Sequence, residues 1–403
     1  MINTKIKKIN FPSSFLENID IIDSNLFKKS VEPYLNKHDE FKINHKFYSL
    51  GKEKLVKSSN KIKALSFFSG AGGLDIGAHF AGVDSISCLD FDKDCIETLK
   101  SNFFYKDAQL MHEDISNISA AVYKDILKKN KPEKLILIGG PPCQPFSKAG
   151  YWITNKKRKA ADDPRNMIGQ YLRIVNELKP DGFILENVES IMHPSNIEAV
   201  ESLENEVIKM GYNMQILKLN AADYGVPQKR KRVFFLVTKK RIEVEPIKTH
   251  FQSNDLFNDQ CYSKTIDWIG PFNINKYSEE GEFLTNKTYF EQLISVPPGK
   301  NYFKVPRALK AKGGIVDNKR FWSFLLKLHP LLPSWTIAAQ PGPWTGPFHW
   351  EGRRLRLLES AAIQTFPSDY KFYGSRHSIQ KQIGNAVPPL LAKVVLEHLI
   401  KHI

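Results

Sequence analysis

Residues 139–150 read GGPPCQPFSKAG and set a single thiol, Cys143, behind two prolines at the end of an apolar run, KLILIGG. Proline fixes its own φ and restricts the residue before it, so the thiol is held in a set direction. A thiol presented there suits nucleophilic attack on an electrophilic carbon, given neighbours that favour the thiolate. A lone cysteine is more often a small buried hydrophobe, yet the polar, proline-bound setting of Cys143 argues against that. The four cysteines, Cys88, Cys95, Cys143 and Cys261, show no C-x-x-C pairing. Neither zinc, redox chemistry nor a disulfide framework is expected of them.

A second group suits holding a ligand. Ser69, Gly70, Ala71, Gly72 and Gly73 follow the strand pattern KALSFF, and a turn without side chains lets backbone N–H groups and a helix N-terminus approach a bound molecule. Such turns bind several cofactor classes, and some bind nothing. The next apolar run ends in Asp90, whose carboxylate can accept ribose hydroxyls, beside Phe91, whose ring can stack on adenine. The third strand candidate is preceded by Glu113-Asp114-Ile115, which offers a carboxylate to an adenine amino group. Capping of loops at strand ends explains Asp90 or Asp114 equally well when either is seen alone.

Elements that could position these residues are legible around them. From Ile62 the chain alternates strand-like and helix-like segments: KALSFF, SISCLDFD, ISAAVYKDILKK, KLILIGG, IGQYLRIVNELK, GFILENV and KRVFFLVTKK. Strands alternating with helices imply parallel pairing and an α/β, doubly wound, Rossmann-like sheet whose ligands bind at its carboxyl edge. The expected organisation is an N-terminal extension over residues 1–61, a sheet domain over 62–245 completed by 356–403, and a smaller domain over 246–355. In that last part helical periodicity weakens into Pro, Gly, Asn and aromatic residues. SAAIQTF and PPLLAKVVLEHLIKHI read as closing helices, the second amphipathic and packed back on the sheet.

With 58 Lys+Arg against 43 Asp+Glu, the chain carries a formal +15, which favours a polyanionic partner because phosphate contacts release counterions. A lysine-rich solvated surface accounts for the charge equally well. No uninterrupted apolar run of the length that crosses a bilayer is present, and MINTKIKKIN has no apolar signal core. A cytoplasmic protein is expected.

Five stretches in order, FSGAGG, PPCQPFS, Glu186-Asn187-Val188, Gln228-Lys229-Arg230-Lys231-Arg232 and Gln382-Ile383-Gly384-Asn385-Ala386-Val387-Pro388, make the chain resemble the cytosine-C5 DNA methyltransferases from Phe67 nearly to the C-terminus. Asp163-Pro164-Arg165-Asn166 resembles a sixth motif. The resemblance implies S-adenosylmethionine as cofactor and double-stranded DNA as substrate. It assigns cofactor contacts to Phe68, Gly70, Gly73, Asp90, Phe91, Asp114, Ile115 and Asn385, and less firmly to Ile168. Asp90 stands where Glu is commoner, and Phe91 where some members carry Trp. Cys143 is then the nucleophile that adds to carbon 6 of cytosine, Glu186 the acid at ring N3 and the exocyclic amine, and Arg230 and Arg232 the holders of the ring carbonyl and of phosphates. Gln228 supports the loop, and the sequence names no residue for removal of the carbon-5 proton, a role open to water.

By the same resemblance residues 246–350 read the DNA sequence. Arg353, Arg354 and Arg356 are candidate base or phosphate contacts, while Trp335, Trp344 and Trp350 are expected in the small domain's core. A monomer, a nucleoid-associated bacterial setting and a partner restriction endonuclease follow from family habit. The alternatives are a transfer-RNA cytosine methyltransferase, which the sizeable recognition region argues against; a non-catalytic DNA-binding relative, argued against by the presence of Cys143 and Glu186; and a nicotinamide dehydrogenase, which leaves PPCQ and ENV without a purpose.

Overall fold

The computed structural model describes residues 61–142, 167–252, 261–273, 275–285, 287–317 and 320–403. Cys143, the Asp163–Asn166 motif and residues 1–60 therefore lie outside the described residues.

Ile62–Phe67 (β1) opens the sheet, and its last four residues are buried. The glycine turn follows and feeds Gly73–Phe80 (α1), then Asp84–Asp90 (β2), Lys93–Lys100 (α2) and Gln109–His112 (β3). Ala120–Asn130 (α3) leads to Lys134–Gly139 (β4), and Met167–Leu178 (α4) to Gly182–Val188 (β5). Ile197–Lys209 (α5), Asn213–Asn220 (β6), the two-residue Gln228–Lys229 (β7) and Lys231–Thr238 (β8) complete this part. The strand order is β3-β2-β1-β4-β5-β8-β6. The chain runs outward from β1 in one direction through β2 and β3, then returns to β4 on its other side. That reversal places the carboxyl ends of β1 and β4 at the switch point of the sheet, where a crevice opens.

The strand sequences explain the layering. KLILIG in β4 is buried at five of six positions, the continuous apolar run expected of a strand covered on both faces. One face packs on α3, α4 and α5 through Phe67, Leu137, Tyr171, Phe183 and Val207. The other packs on α1 and on Pro389–Ile400 (α11) through Ala64, Ile138, Ile184, Leu391 and Val395. A Cβ on Gly77 would run into Ala392, so glycine there lets α1 and α11 approach closely.

Parallel pairing does not extend across the whole sheet. β8 is antiparallel to both β5 and β6, because β6 and β8 are joined without a crossover helix. Two strands escaped the sequence pattern. β3 is only four residues long and partly exposed, and β6 (NMQILKLN) interleaves polar residues along its length. The Glu113-Asp114 stretch follows β3 as a loop.

Beyond the sheet, Thr265–Ile269 (α6), Phe290–Ser295 (α7), Arg307–Lys312 (α8) and Ser334–Trp335 (β9) build a smaller, mostly irregular region. It has apolar clusters of its own around Trp268 and Trp350 and around Tyr302 and Phe348. Leu357–Ile363 (α9), Arg376–Asn385 (α10) and α11 return to the sheet. Arg376–Ile400 is apolar enough by composition to resemble a membrane span, yet it is 67% buried. It is also two helices separated at Ala386–Pro388, the longer rising only about 18 Å, and its apolar faces belong to the core.

Candidate active site

β5 and β8 run antiparallel with Glu186 opposite Phe234 and Val188 opposite Arg232. Glu186 and Arg232 are therefore diagonal neighbours on one face, within reach of a long side chain. Arg232 Nε lies 2.8 Å from Glu186 Oε1, and the two side chains are only 12% and 11% exposed. That carboxylate oxygen is buried and accepts no hydrogen bond of good geometry. Burial pushes the Glu186 carboxyl above the usual carboxylate range, against the opposing pull of Arg232 and Arg230.

The segment leading to the thiol begins at this carboxylate. Asn187 Nδ2 donates to Pro141 O at 3.3 Å, and a Cβ on Gly140 would stand 3.0 Å from Glu186 Oε2. Gly139 pairs with Phe67 and Leu185 across β1 and β5, so the chain leaves the sheet towards Cys143 at the switch point. Asn187 was not singled out from sequence, although its place beside Glu186 in ENV was a usable signal.

Arg230 takes a different course from Arg232. It is fully buried, and its terminal nitrogens donate to Gly384 O at 2.7 Å, Ala386 O at 3.0 Å and Ile337 O at 3.3 Å. Its Nε has no partner but is buried with the rest of the side chain, so Arg230 holds the turn around Asn385 and presents nothing to a phosphate. Gln228 is also buried, accepting from Ile337 N at 3.0 Å and donating to Gln364 Oε1 at 3.0 Å. It ties the segment to β9 and α9.

The candidate cofactor residues converge at the neighbouring edge. Phe68, Gly70 and Gly72 all adopt positive φ, at 54°, 54° and 76°, bending the chain sharply from β1 into α1. Gly70 N donates to Asp90 Oδ2 at 2.7 Å, and Asp92 N donates to Asp90 Oδ1 at 2.8 Å. Burial raises the Asp90 carboxyl above its usual range. Asp114 accepts from Ser116 N and Oγ at 2.8 and 2.6 Å. Both carboxylates thus cap loops, and each keeps lone pairs for a ligand. Phe91 is 74% exposed, its ring open to stacking. Ile115 and Ile168 are buried in one apolar cluster against which Phe68 packs. Arg173 locks that wall by donating to the carbonyls of Ile115 and Ile118.

Asn385, exposed at the end of α10, reaches the same edge because the next turn packs on α1. A Cβ on Gly73 would run into Val387 O. Beneath the glycine turn, buried Asp75 accepts from Ser66 Oγ at 3.0 Å and Ser85 Oγ at 2.6 Å. Sequence reasoning missed this residue, whose one signal was an acid in the first turn of an apolar helix. Exposed aromatic, carboxylates with spare lone pairs, apolar wall and glycine turn together fit an adenosine-bearing cofactor.

A profile of C-5 cytosine-specific DNA methylases matches residues 62–401. The chain belongs to that family. This DNA cytosine-5-methyltransferase is 34% identical to Type II methyltransferase M.SacI of Streptomyces achromogenes, over 86% of this chain and 94% of that protein. It is 30% identical to Type II methyltransferase M1.HphI of Haemophilus parahaemolyticus, over 84% and 86% of the two chains. Among solved structures it resembles a Spodoptera frugiperda DNMT2 mutant with a TM-score of 0.57, at 16% identity over 84% of this chain and all of that one, a likeness of fold.

The three clustered arginines, Arg353, Arg354 and Arg356, separate in the same way as Arg230 and Arg232. Arg353 and Arg356 are 0% and 1% exposed. Arg353 makes a bidentate pair with Glu359 at 2.7 and 2.9 Å, and Arg356 grips Glu282 at 2.7 and 3.0 Å. Neither is free to meet DNA. Arg354 is partly exposed and lines a cleft of about 370 Å³ with Arg376, His377 and Gln380. Of the tryptophans, Trp350 is 2% exposed as expected of core, while Trp335 is 36% exposed.

Proposed function

We propose that this methyltransferase uses S-adenosylmethionine to methylate carbon 5 of a cytosine within a specific double-stranded DNA sequence, through a covalent bond from Cys143. The observation that carries the reading is the buried Glu186–Arg232 pair set against the start of the Cys143 segment. A base stacked in a duplex cannot offer carbon 6 to a thiol, so the target nucleotide turns out of the helix, at a few kcal/mol.

Cys143 then adds as a thiolate to carbon 6, and the electron density displaced into the ring is met at N3 by the proton that Glu186 holds. Arg232 faces the ring carbonyl oxygen and keeps Glu186 oriented. S-adenosylmethionine, when bound, supplies the electrophilic methyl that carbon 5 takes. Loss of the carbon-5 proton to water, return of the N3 proton to Glu186 and departure of the thiolate restore the aromatic ring and free the enzyme. The cofactor would be held by Phe68, Gly70, Gly73, Asp90, Phe91, Asp114, Ile115, Ile168 and Asn385.

Residues 62–245 with 356–403 form the catalytic domain in this reading, 246–355 the recognition domain, and 1–61 an extension. Arg354 is the phosphate contact among the three clustered arginines. The enzyme in this reading is a monomer, and the likeness to Type II methyltransferases supports a role in which its methylation shields cellular DNA from a cognate endonuclease. Duplex DNA carrying 5-fluorocytosine tests the covalent step, because fluorine cannot leave carbon 5 as a proton does. The wild type should stay attached to it through denaturing electrophoresis in the presence of cofactor, and Cys143→Ser should not. Wild-type enzyme that methylates ordinary DNA yet forms no such adduct would contradict the covalent route.

A further inference from the structure

Trp322 is 50% exposed and Trp335 36%, and their rings meet edge to face, 4.5 Å apart at 75°. Exposed indoles forfeit much of the burial that makes tryptophan useful in a core. The pair is nonetheless firmly held. Asn301 Nδ2 donates to Trp322 O at 2.8 Å, and Trp335 pairs in β9 with Lys229 of β7. Thr336 Oγ1 fastens the same junction by donating to Lys229 O at 2.9 Å.

Position and charge say what covers it. Lys229 Nζ lies 5.5 Å from the centre of the Trp335 ring, and Arg320 stands two residues before Trp322. Lys229 is three residues before Arg232, about 10 Å along the chain, so the aromatic pair is anchored on the same stretch that carries the partner of Glu186. A surface of aromatic rings beside a cation, borne by the stretch that also carries Arg232, fits a nucleobase above and a phosphate alongside.

We propose that Trp322 and Trp335 form an aromatic platform on which a nucleobase of the DNA substrate, unstacked when the target cytosine leaves the helix, comes to rest, with Lys229 meeting the adjoining phosphate. This rests on the DNA reading above and extends it to two tryptophans that no motif covers. Stacking of a base on an aromatic side chain offsets part of the cost of opening the duplex.

The test uses the full chain and amplified, unmethylated duplex DNA of mixed sequence, measuring binding over a salt series and transfer of labelled methyl groups. Trp322→Ala and Trp335→Ala should each weaken DNA binding by about 5- to 150-fold and raise KM for DNA, leaving KM for the cofactor unchanged. The slope of log affinity against log salt should stay as in the wild type, because no phosphate contact is lost. Trp335→Phe, which keeps an aromatic face and guards against misfolding, should recover most of the affinity. Lys229→Ala should instead reduce the salt slope by about 1.

Wild-type enzyme that binds and labels DNA beside alanine variants that do both equally well would overturn the platform alone. A wild type that self-associates through this face, with association but not DNA affinity lost in the variants, would overturn it in favour of a second copy. A wild type that neither binds nor labels DNA would overturn both the platform and the reading beneath it.

Discussion

At Glu186 two influences oppose each other. Burial disfavours the charged carboxylate, Arg232 at 2.8 Å favours it, and burial is the larger. The consequence is a proton held to higher pH than on an exposed glutamate, as an acid working near neutrality requires. Under the proposed role, in which the protonated group acts, kcat should fall on the alkaline side as pH passes through its raised pKa. Glu186→Gln should lower kcat by about 10²- to 10⁴-fold and abolish that alkaline fall. A full profile retained in the variant would assign the proton elsewhere. Arg230→Lys keeps a charge but loses the planar fork whose two terminal nitrogens share the carbonyls of Ile337, Gly384 and Ala386, so KM for the cofactor should rise through the Asn385 turn. Motif spacing identified Glu186 and the arginine pair, but it could not separate Arg230 from Arg232. Their difference lies in tertiary partners, Gly384, Ala386 and Ile337, that are distant in sequence. The same holds for Arg353, Arg354 and Arg356, where only the fold decides which cation is spent on Glu359 or Glu282.

Elements bring these residues together through a few close approaches. Gly73→Ala would drive a methyl group into Val387 O, parting α1 from the turn that follows α10. Cofactor affinity and Tm should drop together in that variant, by calorimetry and a binding titration. The bidentate Arg353–Glu359 pair ties the small region to α9 with both side chains fully buried. Removing one partner leaves the other charge unpaired, so Glu359→Ala should cost about 3–5 kcal/mol in denaturant unfolding, whereas an exposed pair such as Lys128–Asp125 should cost less than about 1 kcal/mol. β1, β2, β4, β5 and β8 were legible because their runs are apolar and bounded by turn residues. β3 and β6 were not, since edge strands with one covered face are short or interleaved with polar residues. The small region offered no period at all, its clusters around Trp350 and Phe348 being assembled from loops.

At the scale of the whole molecule, the formal +15 becomes informative once the cations are sorted by partner. Affinity for duplex DNA should fall linearly on logarithmic axes with rising salt, and Arg354→Ala should flatten the slope by about 1. Arg353→Ala, whose side chain is buried, should change Tm far more than the slope. Charge alone could not distinguish a DNA-binding face from a solvated one, because the arginines at issue lie side by side in sequence and differ only in burial. The measurement closest to the central claim is transfer of labelled methyl groups from S-adenosylmethionine to unmethylated duplex DNA, beside transfer RNA, by the wild type and by Cys143→Ser. The account predicts label on carbon 5 of DNA cytosine with the wild type and none with the variant. Label in RNA alone, or label in DNA that survives loss of the thiol, would contradict it.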